Sequence, residues 1–154
     1  MCKEYGLTNQ SFVLQIGCEK GFLLHDFQQA QPGIKIRGTD ISEYAIENTI
    51  ESMKHHVQVA DAKALPFEDN YFDVVISINT VHNLEREECG KALQEIERVS
   101  NERSFITVDA YHNNEEKEAM LSWNLTGKTI MHVEEWKIFF DEIDYTGDYY
   151  WFIP

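Results

Sequence analysis

Short apolar runs alternate with longer amphipathic stretches along the whole chain. Phe12-Val13-Leu14-Gln15-Ile16 reads as a first strand, ended by Gly17. Residues 20 to about 30 follow as a helix, closed by Pro32-Gly33. Residues 34–39 form a second strand that runs into Asp40. Ser42 then stands as an N-cap, and Ala45, Ile46, Thr49, Ile50 and Met53 recur behind it at helical spacing. Residues 56–60 are a short third strand. Residues 71–78 (YFDVVISI) are almost unbroken in their apolarity, as a strand covered on both faces should be. Cys89, Ala92, Leu93, Ile96 and Val99 mark one face of a further helix, and residues 104–108 a fifth strand. Trp136, Phe139, Phe140 and Ile143 mark a late helix, and residues 149–153 a last strand.

Strands separated by helices imply right-handed βαβ units, hence a doubly wound, mostly parallel α/β sheet of about six strands flanked by helices. Ligands of such sheets sit beyond the carboxyl ends of the strands, where strand order reverses. The loops after the strands are therefore where chemistry is expected.

Composition narrows this picture. At 154 residues, a single domain spanning 1–154 with a real core is the expectation. No stretch approaches the roughly 18 consecutive apolar residues of a membrane span, and the start, Met1-Cys2-Lys3-Glu4-Tyr5-Gly6, lacks the pattern of a signal peptide. Cys2, Cys18 and Cys89 are odd in number and far apart, which suits the reduced thiols of a cytoplasmic protein better than a disulfide frame or a zinc site. No group of His, Cys, Asp and Glu has metal-ligand spacing, so no metal is expected. The formal net charge is −14, with 13 basic residues scattered among 27 acidic ones. That balance works against nucleic acid as a substrate, since a polyanion needs clustered cations.

The loop after the first strand, Gln15-Ile16-Gly17-Cys18-Glu19-Lys20-Gly21, has glycines that let the backbone pass close to a ligand at a helix N-terminus. It lacks the G-x-G-x-x-G frame of a dinucleotide site, and Glu19 would repel a pyrophosphate. A ligand that carries cationic groups and no phosphate is compatible with it. Asp40, at the end of the second strand, could accept from two hydroxyls at once or serve only as a turn or capping residue.

VLQIGCEKGF resembles the first motif of class I S-adenosylmethionine-dependent methyltransferases, and VADAKALPFEDNYFDVVIS resembles the next two. SINTVHNL, EIERVSNERSFITVDAY and the closing YTGDYYWFIP are similar to a group of bacterial methyltransferase-like proteins. The resemblance covers nearly the whole chain. It implies a Rossmann-like fold and S-adenosylmethionine as cofactor, held by Gln15, Gly17, Cys18, Gly21, Asp40, Ile41, Asp61, Ala62 and Asn79. In this scheme Asp40 takes the ribose hydroxyls and Asp61 the adenine amino group. Three departures stand out. Gln15 replaces the family's acidic residue, and Glu19 replaces the middle glycine. The first strand also begins only about a dozen residues from Met1, short of the helical segment with which relatives cover the cofactor.

The expected function is methyl transfer to the oxygen or nitrogen of a small-molecule acceptor. The alternative is a non-catalytic binding or interaction module with weakened cofactor affinity. His82, after the fourth strand, is the candidate base, and Tyr111, after the fifth, a candidate acceptor-site residue. Tyr145, Tyr149, Tyr150, Trp151 and Phe152 crowd the end of the chain, with Tyr149 and Trp151 on one face of the last strand and Tyr150 and Phe152 on the other. Relatives often add a further strand that pairs here, and none follows before Pro154. This predicts a homodimer that uses the last strand or the uncovered crevice.

Overall fold

The computed structural model describes residues 1–101 and 103–153. Glu102 and Pro154, which fall within two segments of the resemblance, lie outside the described residues. The elements are β1 (Phe12–Ile16), α1 (Phe22–Ala30), β2 (Lys35–Asp40), α2 (Glu43–Glu47), β3 (Val57–Val59), β4 (Val74–Ile78), α3 (Arg86–Val99), β5 (Ser104–Tyr111), α4 (Asn114–Trp123), β6 (Met131–His132), α5 (Val133–Glu142) and β7 (Asp148–Phe152). Short 3-10 turns lie at Glu51–Met53 and Val81–Asn83.

All strand pairings are parallel, in the order β3-β2-β1-β4-β5, and β6 and β7 both pair with β5. This is the doubly wound α/β sheet that the alternating pattern predicts, with seven strands among the described residues. Chain order reverses between β1 and its two neighbours. Ile16 lies opposite both Thr39 of β2 and Ser77 of β4, so three strands end at one level and their loops emerge side by side.

The sheet is buried on both faces, which is why β4 is apolar apart from Ser77. On one face Leu24 and Phe27 of α1 pack with Met53, Val13, Val74 and Ile76. On the other, Leu93 and Ile96 of α3 pack with Trp136 and Phe140 of α5, Leu14 and Val75. Among the described residues, no helix is long and apolar enough to cross a membrane.

The helix expected behind Ser42 ends at Glu47, with Met53 in a separate 3-10 turn, and β4 begins at Val74 instead of residue 71, since Phe72 bridges Ser100. Three further regions depart from the sequence expectation. β5 continues to Tyr111, because Asp109 pairs with Phe152 of β7 and Ala110 and Tyr111 pair with β6. α4 has no counterpart in the hydrophobic pattern, since Met120 is its one buried residue; its signal is the cap, where the Asn113 side chain accepts the Glu116 N–H. The expected bare aromatic surface at the end of the chain is smaller than supposed. Trp151 stacks on Phe140 at 3° between planes, and Phe152 lies against Trp123 on the opposite face. Tyr150 remains 62 % exposed.

Candidate functional site

Gly17 leaves β1 at φ 70°, and the Thr80 side chain fills the space a Cβ would need. Any other residue would be strained there and would push Thr80 aside. The N–H groups of Gly17 and Cys18 both donate to the Thr39 carbonyl, at 2.8 and 2.9 Å, tying this loop to β2. Glu19 follows at φ 47°, a conformation that costs a non-glycine residue about 1–2 kcal/mol. Its N–H donates to Asp40 Oδ2 at 2.9 Å, and the Ser42 N–H donates to Asp40 Oδ1, also at 2.9 Å. Such charge-assisted bonds offset part of the strain. Asp40 thus joins two loops, and each oxygen keeps a lone pair for a further donor.

The loop after β4 is held in a similar way. Asn79 sits at φ 48°; its N–H donates to Thr107 Oγ1 at 2.8 Å, and that hydroxyl donates to Asn79 Oδ1 at 2.6 Å. After β3, Asp61 Oδ1 accepts the Lys63 N–H at 2.9 Å. The Lys63 ammonium lies 2.6 Å from Glu88 and 3.6 Å from Asp61.

These loops enclose a crevice of about 640 Å³. Of the residues singled out from the sequence, it brings together Gly17, Asp40, Ile41, Asp61, Ala62 and Asn79. Gln15 and Cys18 line an adjoining recess that shares Gly17, Glu19 and Ile78 with the crevice. Cys18 is buried, and burial pushes its thiol up to about 12. Gly21 is outside both linings; at φ 83° it starts α1 with Met53 against the position of its missing Cβ.

His82 is also outside the crevice lining and only 2 % exposed. Its Nε2 lies 3.3 Å from Oδ2 of the buried Asp109, which also accepts from Asn124. Burial lowers the pKa of His82 and raises that of Asp109; each opposes the shift in the other. Tyr111 packs edge-on against His132 with the Lys117 ammonium over its ring, away from the crevice lining. Thr80 and Asn83, of the SINTVHNL segment, also line the crevice, as does Lys63, which had not stood out in the sequence. Their position in the same post-strand loops as Asp61 and Asn79 was the available signal.

The chemistry of the crevice suits the implied cofactor. Among the described residues, buried Thr39 Oγ1 and Asn83 Oδ1 have no hydrogen-bond partner, and both residues line the crevice; Gln15 Oε1, in the same state, belongs to the recess. S-adenosylmethionine brings hydroxyl, amino and ammonium donors for such acceptors. Glu19, Asp40 and Asp61 make the lining acidic, with Lys63 engaged by Glu88, which favours a cationic ligand over a polyphosphate.

The description of a family, methyltransferase domain, matches residues 13–103. This chain belongs to that family. S-adenosylmethionine is accordingly the cofactor expected in the crevice. The chain is 36% identical over 88 residues to the mitochondrial arginine hydroxylase NDUFAF5 of Mus musculus, covering 56% of this chain and 25% of that protein. It is 31% identical over 132 residues to the tRNA (carboxymethyluridine(34)-5-O)-methyltransferase of Arabidopsis thaliana, covering 84% of this chain and 31% of that protein. It thus spans about a quarter to a third of the length of these curated relatives. In fold it is similar to the crystal structure of MccD protein, with a TM-score of 0.70 and 24% identity over 92% of this chain and 66% of that one.

Proposed function

We propose that this chain transfers the methyl group of S-adenosylmethionine to an oxygen or nitrogen of a small-molecule acceptor. The observation that carries the proposal is the convergence of Gly17, Asp40 and Asp61 on one crevice with unpartnered buried acceptors. When bound, S-adenosylmethionine supplies a methyl on a positively charged sulfur, so alignment of the acceptor provides much of the acceleration. Asp40 would hold the ribose hydroxyls and Asp61 the adenine amino group. Gln15 Oε1 would face the ammonium. Gly17 would let the backbone approach, and Asn79 and Ile41 would close the walls. His82 supports the 79–84 wall from inside the fold, so an acceptor that needs no base at the crevice surface fits best.

The small-molecule assignment is supported by the charge of −14 and by the acidic lining, both of which oppose a polyanion. A cytoplasmic setting belongs to the same reading and is supported by three free cysteines. Methyl-labelled S-adenosylmethionine, incubated with the protein and either a small-metabolite extract or bulk tRNA, tests the acceptor class. Label in the metabolite fraction is expected; label in tRNA would overturn that part of the proposal.

A non-catalytic binding module is the second reading, and one observation favours it. No His or Tyr side chain lines the crevice among the described residues. Cofactor binding without turnover on any acceptor would point to it. We further propose a homodimer through β7, whose Tyr150 faces solvent. Light scattering at micromolar concentration should then give twice the 18.0 kDa chain mass.

A further inference from the structure

Asp61, Ala62 and Lys63 form one wall of the crevice, yet residues 60–73 contain no helix or strand. Such a segment is held by whatever bonds its main chain. Here that is α3. The Leu65 N–H donates to Glu95 Oε2 at 2.8 Å. The Arg98 guanidinium donates to the Leu65 carbonyl at 3.1 Å, to the Phe67 carbonyl at 2.8 Å and to Asp69 at 2.8 Å. Glu95 in turn fixes Arg98, with contacts of 2.6 and 2.7 Å. Nearer the crevice, Lys63 reaches Glu88.

Glu88, Glu95 and Arg98 lie seven and three residues apart, which places them along one stripe of α3. The opposite stripe, with Cys89, Leu93 and Ile96, is buried in the core. α3 also follows directly from residues 79–84, which supply another wall of the crevice through Asn79, Thr80, Asn83 and Leu84. One rigid helix therefore carries one wall through the chain and grips the other through side chains.

We infer that α3 sets the width of the cofactor crevice and that Arg98, clamped by Glu95, is a positioning residue for the wall that carries Asp61. Arg98 does not line the crevice and acts through the main chain of residues 65–67. Its planar fork serves two carbonyls and two carboxylates at once, which a lysine cannot reproduce. The inference rests on the crevice being the cofactor site.

The test compares wild type, Arg98→Met, Arg98→Lys and Arg86→Met, each confirmed folded by circular dichroism. Arg86 is on the same helix but pairs with Glu142, away from the wall. Amide hydrogen exchange reads the wall without cofactor, and calorimetric titration reads S-adenosylhomocysteine binding. Arg98→Met should speed exchange at residues 64–67 and weaken binding, each about tenfold, the loss expected for a charge-assisted hydrogen bond. Arg98→Lys should recover part of both, and Arg86→Met should move neither. Unchanged affinity in Arg98→Met despite a loosened wall would overturn the inference. So would an equal loss of affinity in Arg86→Met, which would trace it to general instability. Absence of binding by wild type would bring down the cofactor reading itself, and this inference with it.

Discussion

The loops that leave β1 and β4 hold Gly17, Glu19 and Asn79 at positive φ around an open crevice. Residues 112–132, between β5 and α5, hold no such residue, and they close over buried Asp109 and His82. Both lie at the carboxyl end of one sheet. The first keeps its carboxylates accessible and leaves Thr39 Oγ1 and Asn83 Oδ1 without partners among the described residues. The second turns most of its polar groups on itself: the Asp109 carboxylate accepts from Asn124 and lies against His82 Nε2, the Asp109 carbonyl takes the Trp136 indole N–H, and the His82 carbonyl takes the N–H groups of Lys128 and Thr129, while His82 Nδ1 is without a partner among the described residues. Backbone strain kept beside unpartnered acceptors marks a place prepared for a ligand. A buried knot whose polar groups bond mostly to one another marks a place that holds the fold together.

The largest effect should come from breaking the knot. Asp109→Ala removes one member of a buried pair and should lower stability by about 3 kcal/mol, measured by urea denaturation, while S-adenosylhomocysteine affinity changes little at temperatures where the variant is folded. Retained stability with lost binding would exchange the roles of the two regions. Next comes Asp40→Ala, which should weaken S-adenosylhomocysteine binding by about 1.5–3 kcal/mol, the range for hydrogen bonds to a charged group. Unchanged affinity in the calorimeter would reduce Asp40 to a tie between two loops.

Smaller effects sharpen the same contrast. Glu19→Gly relieves a residue at φ 47° and should tighten S-adenosylhomocysteine binding by about 1 kcal/mol. Weaker binding would show that the Glu19 carboxylate contacts the ligand. The smallest effect concerns pH. The hydrogen bond from Arg98 holds the Glu95 carboxyl below its usual range, so the native chain keeps it ionised where the unfolded chain takes up a proton. Stability from this pair is therefore complete above the ordinary value of about 4.3 and is lost as pH falls through the lowered value. Glu95→Gln should flatten the acid limb of a stability–pH curve by about 0.5 kcal/mol, the scale of a partly exposed pair; an unaltered limb would show that the pair is energetically idle.

Much of the crevice was legible because its residues end strands. Apolar runs located β1, β2 and β4, and parallel pairing in register brought Gly17, Asp40 and Asn79 to one level. Asp61 was legible through its motif. What escaped was held by contacts without a period. α4 buries only Met120, so its face carried no stripe to read. β6 has two residues, too few for any alternation. The burial of His82 depends on Asp109 and Asn124, 27 and 42 residues further along, and only their meeting in space removes its ring from solvent. Arg98 escaped for the same reason, since its partners are main-chain carbonyls some thirty residues earlier.

The central claim is that the crevice between β1, β2 and β4 is the cofactor site, and a calorimetric titration with S-adenosylhomocysteine tests it most directly. The folded wild-type chain should bind one molecule per chain, and an Asp40→Ala/Asp61→Ala double variant that remains folded should show no measurable binding. Absence of binding by wild type, or equal affinity in the double variant, would contradict the account.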